Sequence, residues 1–160
     1  MKGFDGMKKE ILIKVKDFGE IKVELDRETA PITFDNFVGL IERNYFDNTV
    51  FHRIIKGFMI QGGAGNEQLN PIKGEFMANG VKNDLKHTRG VISMARTMVK
   101  DSATSQFFIM HEDSPHLDGQ YAAFGIVIEG IEVVDRIANE KTNAYDAPLS
   151  PVVIESISFI

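Results

Sequence analysis

The chain contains no cysteine. Disulfides and thiolate metal sites are therefore closed to it, and the fold must stand on packing alone, a condition that suits a reducing compartment. No stretch approaches the roughly 18 apolar residues a membrane-spanning helix needs. Met1 to Glu10 carries charges with no apolar run behind it, so no export leader is read there. A cytoplasmic protein is the expectation. Excess positive charge is missing too: the net charge of -5 gives no basic field, so neither nucleic acid nor a membrane is an expected partner. Internal repeats and low-complexity tracts are absent. Tryptophan is absent while phenylalanine reaches 12, so several rings are available to face a site as well as the core.

What is present suits one globular domain. A chain of 160 residues buries roughly two-thirds of its unfolded surface around a single core. We expect one domain over 1–160, with 1–9 as a flexible amino-terminal extension.

Apolar residues alternate over Ile11 to Val15 and Glu20 to Leu25, and the Asp17-Phe18-Gly19 break joins the two runs as a hairpin. Pro31 suits a first helical position, and Phe34, Phe37, Val38 and Ile41 follow the spacing of a helix with one buried face, ending near Asn44. Two short strands, Val50 to Ile55 and Phe58 to Gln61, flank a Lys56-Gly57 break. The polar region Asn66 to Lys86 reads as loop with room for one short strand. Strands resume at Gly90 to Ala95, Gln106 to Met110 and Ala122 to Ile128; a helix over Ile131 to Asn139 and a strand over Val152 to Ile160 close the chain. About eight strands with only two helices favour an antiparallel barrel or sandwich over a parallel sheet, and a barrel also removes exposed edges.

Most familiar chemistries find no team here. Gly62-Gly63-Ala64-Gly65 lacks the Lys-Ser/Thr pair and following helix of a phosphate loop. His52, His87, His111 and His116 match no compact ligand spacing, so no metal is expected. Strand alternation puts His52 on the opposite face from Arg53, as a core histidine with a satisfied hydrogen bond. There is no Gly-x-Ser-x-Gly elbow, and Ser93 and Ser105 sit in strand-like stretches that suit structural roles.

One stretch is harder to explain as scaffold. Phe51 to Gly63 sets Arg53 in a segment of strand-forming residues, where a hairpin could bring Arg53, Phe58 or Met59, and Gln61 onto one surface. The same pattern fits an arginine that snorkels over apolar neighbours. In Gln106-Phe107-Phe108-Ile109, alternation gives Gln106 and Phe108 a common face; spacing is equally compatible with both phenylalanines in the core.

Taken together, the blocks Phe51-His52-Arg53-Ile54-Ile55, Phe58-Met59-Ile60-Gln61-Gly62-Gly63, Gly90-Val91-Ile92-Ser93-Met94-Ala95, Ser105-Gln106-Phe107-Phe108-Ile109, and Leu117-Asp118-Gly119 leading to Phe124-Gly125 resemble the cyclophilins. These are peptidyl-prolyl cis-trans isomerases, and bacterial cytosolic members are the most similar. The blocks keep the family's order and nearly its spacing over most of Ile11 to Ile160. The resemblance implies a mainly β fold, an eight-stranded antiparallel closed barrel with two capping helices and a groove on its outer surface. It implies Arg53 as the catalytic residue. Phe58, Met59, Phe108 and Leu117 would form a proline pocket, Gln61 and Gln106 would bind peptide, and Ala95 with Arg96 would hold its backbone, with His116 and Tyr121 at the periphery. No cofactor is implied. The implied partners are proline-containing peptides and unfolded or partly folded proteins, met by a monomer.

Four departures from the family pattern bear on substrate choice. Arg96 and Thr97 stand where asparagine and alanine are common, His116 where many members have tryptophan, and Tyr121 where histidine is common. The segment from Ala64 to Lys86 is also short. Without the indole, weak cyclosporin binding is expected. A module on the same scaffold that holds proline segments with little turnover is the alternative reading.

Overall fold

The structure is a computed structural model and describes residues 7–160. Its strands are β1 (Lys8–Val15), β2 (Gly19–Asp26), β3 (Thr49–Ile55), β4 (Met59–Gly62), β5 (Val91–Met94), β6 (Phe107–Met110), β7 (Ala123–Glu129) and β8 (Val153–Phe159). They close into a barrel in the order β1-β2-β7-β5-β6-β4-β3-β8, every pair antiparallel. Lys8 and Lys9, assigned from sequence to the amino-terminal extension, pair with Asp26 and Leu25, so the sheet takes in the end of that segment. Residues 1–6 of the expected extension lie outside the described residues.

Alternation along each strand sends one set of side chains inward. Ile11, Ile13, Ile21, Val23, Leu25, Ile60, Ile92, Phe107 and Ile109 are fully buried in the barrel core. Helix α1 (Pro31–Glu42) and helix α2 (Ile131–Ala138) bury their apolar faces on this same core. Phe37 of α1 meets the rings of Phe46, Phe107 and Phe124 at centroid distances of 4.9, 5.4 and 5.1 Å. Each such ring contributes about 1.5–3 kcal/mol by leaving water.

α1 starts at Pro31 because its fixed φ suits the first turn, but Ala30 offers no side-chain cap. The buried Glu75 carboxylate supplies one from a distant loop, accepting from the Ile32 and Thr33 amides at 3.1 and 2.7 Å and from Thr33 Oγ1 at 2.8 Å. A carboxylate at a helix amino terminus also meets the favourable end of the dipole. The strand allowed for between Asn66 and Lys86 does not form. That region holds an isolated bridge, Ile72 with Ala103, and a 3-10 turn at Met77–Asn79.

Candidate active site

The outer face of β3, β4, β6 and β5 carries a second apolar cluster, separate from the barrel interior: Met59, Val91, Phe108, Met110, Leu117 and Ala123, flanked by Phe58, Ala95 and Tyr121. The partition follows from register. Phe107 and Ile109 point inward, so Phe108 and Met110 face out.

Arg53 owes its position to a β-bulge. Phe51 pairs with Gly62, yet the next β4 residue back, Gln61, pairs with Arg53, so β3 spends one extra residue, His52, at this point. Without the bulge Arg53 would share the face of Phe51, which is buried in the barrel core. With it, Ile54 is the next inward residue and Arg53 stands exposed on the outer face, directly across from Gln61.

The same bulge corrects the expectation for His52. It is not a core histidine with a satisfied hydrogen bond: it is half-buried, and its Nδ1 is enclosed with no hydrogen-bond partner among the described residues. Burial, with the adjacent Arg53 charge, pushes its pKa below the usual histidine value.

From Arg53 a polar relay runs along the sheet. Its Nη1 donates to Gln61 Oε1 at a long 3.4 Å, and Gln61 Nε2 donates to Gln106 Oε1 at 3.0 Å. Beside the relay lies a hollow of about 130 Å³ lined by Arg53, Phe58, Met59, Gln61, Ala95, Arg96, Phe108, Leu117 and Tyr121. A hollow of this size, open on one side, suits one small ring.

Its walls are held by the scaffold. The turn before Phe58 is fixed where the Gly57 amide donates to His111 Nδ1 at 2.9 Å, while His111 Nε2 lies 3.1 Å from Asp135 on α2. Behind Phe108, the fully buried His87 stacks on the ring at 6.0 Å. Its Nδ1 faces Asp118 at 3.2 Å, which makes that nitrogen the donor, so Nε2 accepts from Ser93 Oγ at 2.9 Å. Desolvation pushes the His87 pKa down, and the Asp118 hydrogen bond only partly opposes it. Ser93 is thus a structural residue, as is Ser105, whose hydroxyl donates to the Gly63 carbonyl at 2.8 Å.

Arg96 forms the far wall. Its guanidinium lies between the rings of Phe76 and Tyr121, 4.8 and 4.6 Å from their centroids. Nε and Nη2 donate to the Gln120 carbonyl and Nη1 to that of Thr97. Arg96 also lines a second hollow of about 200 Å³, with Gln61, Ala95, Thr97, Ser102, Thr104 and Gln106.

Nine of the expected site residues therefore line one cavity. Gln106 lines the neighbouring one instead. His116 lines neither; it is exposed and stacks on Phe58 at 5.8 Å, backing the wall. Sequence reasoning missed Ser102 and Thr104, whose sole local signal is a hydroxyl-rich run ahead of Gln106, and it missed Phe76 as a platform for Arg96. Among the described residues no three or more histidine, cysteine or acidic side chains gather as metal ligands would.

Comparison with known proteins agrees with this architecture. The family model described as cyclophilin type peptidyl-prolyl cis-trans isomerase matches residues 10–159. Peptidyl-prolyl cis-trans isomerase A of Dickeya dadantii is 41% identical over 157 residues, covering 89% of this chain and 80% of the relative. Peptidyl-prolyl cis-trans isomerase B of Escherichia coli is 39% identical, covering 88% of this chain and 93% of its own. Among solved structures, a cyclophilin type isomerase of Cryptosporidium parvum superposes with a TM-score of 0.86 at 30% identity, over 96% of this chain and 98% of that one. The same protein has been solved in the presence of the dipeptide Ala-Pro. A family-model match that runs from β1 to β8, together with relatives at 41% and 39% identity covered over most of their length, shows that this chain belongs to the family of cyclophilin-type peptidyl-prolyl cis-trans isomerases.

Proposed function

We propose that this protein isomerises Xaa-Pro bonds of peptides and folding proteins in the outer-face hollow, with Arg53 as the catalytic residue. The observation that carries the reading is the placement of an exposed guanidinium, opposite Gln61, at the rim of a ring-sized apolar hollow. Rotation about a prolyl amide faces a barrier of roughly 18–20 kcal/mol set by carbon–nitrogen resonance, and no covalent bond has to break. A nucleophile is unnecessary. In this reading Phe58, Met59, Phe108 and Leu117 grip the proline ring while Arg53 donates toward the prolyl nitrogen, whose lone pair localises as resonance is lost. An interaction stronger with the twisted amide than with either planar form accelerates both directions. Arginine stays protonated throughout the useful pH range, so the donor needs no proton transfer.

The test is isomerisation of a proline peptide by wild type and Arg53→Ala. Loss of a preorganised donor costs roughly two to three orders of magnitude in turnover. The exposed position of Arg53 leaves the fold intact. A folded variant with unchanged activity refutes the assignment of Arg53; a wild type without turnover would leave the peptide-binding module as the reading.

For ligands other than peptide we propose weak cyclosporin binding, supported by the position of His116, which backs Phe58 and adds no indole contact. A nanomolar dissociation constant by titration calorimetry refutes that. A cysteine-free fold supports a cytoplasmic setting, and we take the monomer as the working form.

A further inference from the structure

We infer that Arg96 makes this groove selective for acidic residues two positions from the proline. This inference rests on the isomerase reading above. The two hollows share Gln61, Ala95 and Arg96 and lie along one groove. An extended peptide advances about 3.3 Å per residue with side chains alternating, so residues two apart sit on one side roughly 6–7 Å from each other. A proline in the first hollow therefore places a neighbour two residues along at the second.

The second hollow has a particular chemistry. Its lining is neutral except for Arg96, and no carboxylate lines either hollow. Arg27, Arg43 and Arg89 each pair with an acidic side chain at 2.9, 2.6 and 2.7 Å. Arg53 and Arg96, the two arginines of the groove, have no carboxylate within ion-pair distance among the described residues. A chain of net charge -5 thus leaves an uncompensated positive groove.

Thr97, Ser102 and Gln61, three of the other polar residues of the wall, are already engaged, and Thr104 and Gln106 are neutral. Thr97 Oγ1 donates to Ser102 Oγ at 2.8 Å, Ser102 Oγ donates to the Val99 carbonyl at 2.6 Å, and Gln61 Nε2 is spent on Gln106. Asp101, in the same loop, accepts from the Gly74 amide and Asn79. Arg96 uses three of its five N–H groups on carbonyls of its own chain, leaving two for a ligand carboxylate. Stacked between Phe76 and Tyr121, it presents that charge in a fixed orientation, so little conformational entropy is lost on binding.

The experiment measures kcat/KM by NMR exchange, free of any coupling protease, on peptides with Asp, Ala or Lys placed two residues before or two residues after the proline. At low salt the Asp peptide is expected to exceed the Lys peptide by about fivefold at one of the two positions, the scale of an exposed ion pair set against an exposed repulsion. Because exposed charges are screened, the ratio should fall toward one at about 1 M salt. It should also fall toward one in Arg96→Gln and partly persist in Arg96→Lys. A wild-type ratio near one at both positions, a ratio indifferent to salt, or a ratio retained in Arg96→Gln overturns the inference. The wild-type salt series decides even if Arg96→Gln distorts the groove. Turnover without preference sinks this inference alone; no turnover on any peptide sinks the isomerase reading with it.

Discussion

If Gln61 works by aiming Arg53, removing it should matter only while Arg53 is present. Gln61→Ala deletes the amide that receives Arg53 Nη1 at 3.4 Å and donates to Gln106 at 3.0 Å, but leaves the backbone pairing of β4 with β3 and β6 untouched. A hydrogen bond from a charged group is worth about 1.5–3 kcal/mol net. At 3.4 Å and exposed, the Arg53 contact falls below that range, because strength falls with length. The expected loss is therefore roughly threefold to tenfold in kcat/KM, far short of the two to three orders expected for Arg53→Ala. The informative measurement is the double variant, assayed at low temperature, where the uncatalysed reaction is slow enough to subtract. With Arg53 gone there is nothing left to aim, so Arg53→Ala/Gln61→Ala should be no slower than Arg53→Ala alone, within about twofold. Losses that multiply would mean that the two residues act independently, and would refute the relay.

Two further predictions concern pH. Activity should be nearly flat from about pH 6 to 9, because arginine, glutamine and apolar side chains do not titrate there; a bell-shaped kcat/KM profile centred near neutrality would instead implicate a histidine. Stability should fall on acidification in two windows. The His87 pKa is lowered in the folded state by burial, so below about pH 6.5 the unfolded chain takes up a proton that the native state refuses, and stability drops as pH falls toward the folded value. Asp35 and Asp135 are lowered chiefly by hydrogen bonds from Arg27 and Arg89, and Asp101 by the Gly74 amide, so their contribution is present above the ordinary carboxylate value and lost as pH falls below it. Urea unfolding midpoints that stay level or rise between about pH 7.5 and 5.5 would contradict the first window.

Much of the scaffold was legible in the chain because its signals are local. Alternation over Ile11 to Val15 and Glu20 to Leu25 became β1 and β2, and the Phe34, Phe37 and Ile41 spacing after Pro31 became α1. Region 66–86 is the expected loop, and the short strand it had room for does not form; the loop is ordered by long-range ties, such as Glu75 to α1 and Asp101 to Gly74, which no local pattern announces. The site was legible differently. Its residue types were recognised as sequence blocks, while the direction each side chain takes was not readable from them.

Sequence alone determined the elements and their approximate bounds, since periodicity and residue type act over a few neighbouring positions; most residues of the groove came from the resemblance to a family. Tertiary structure decided which face of each strand became the core. Alternation separates Phe107 from Phe108 but names neither side as interior; closure of the barrel does that. The bulge at His52, which turns Arg53 outward, exists only in the pairing of β3 with β4. Arg96 needs Phe76 and Tyr121, each at least twenty residues away along the chain, to become a fixed charge. Register and long-range packing are properties of two or more segments at once, and no single stretch of sequence carries them.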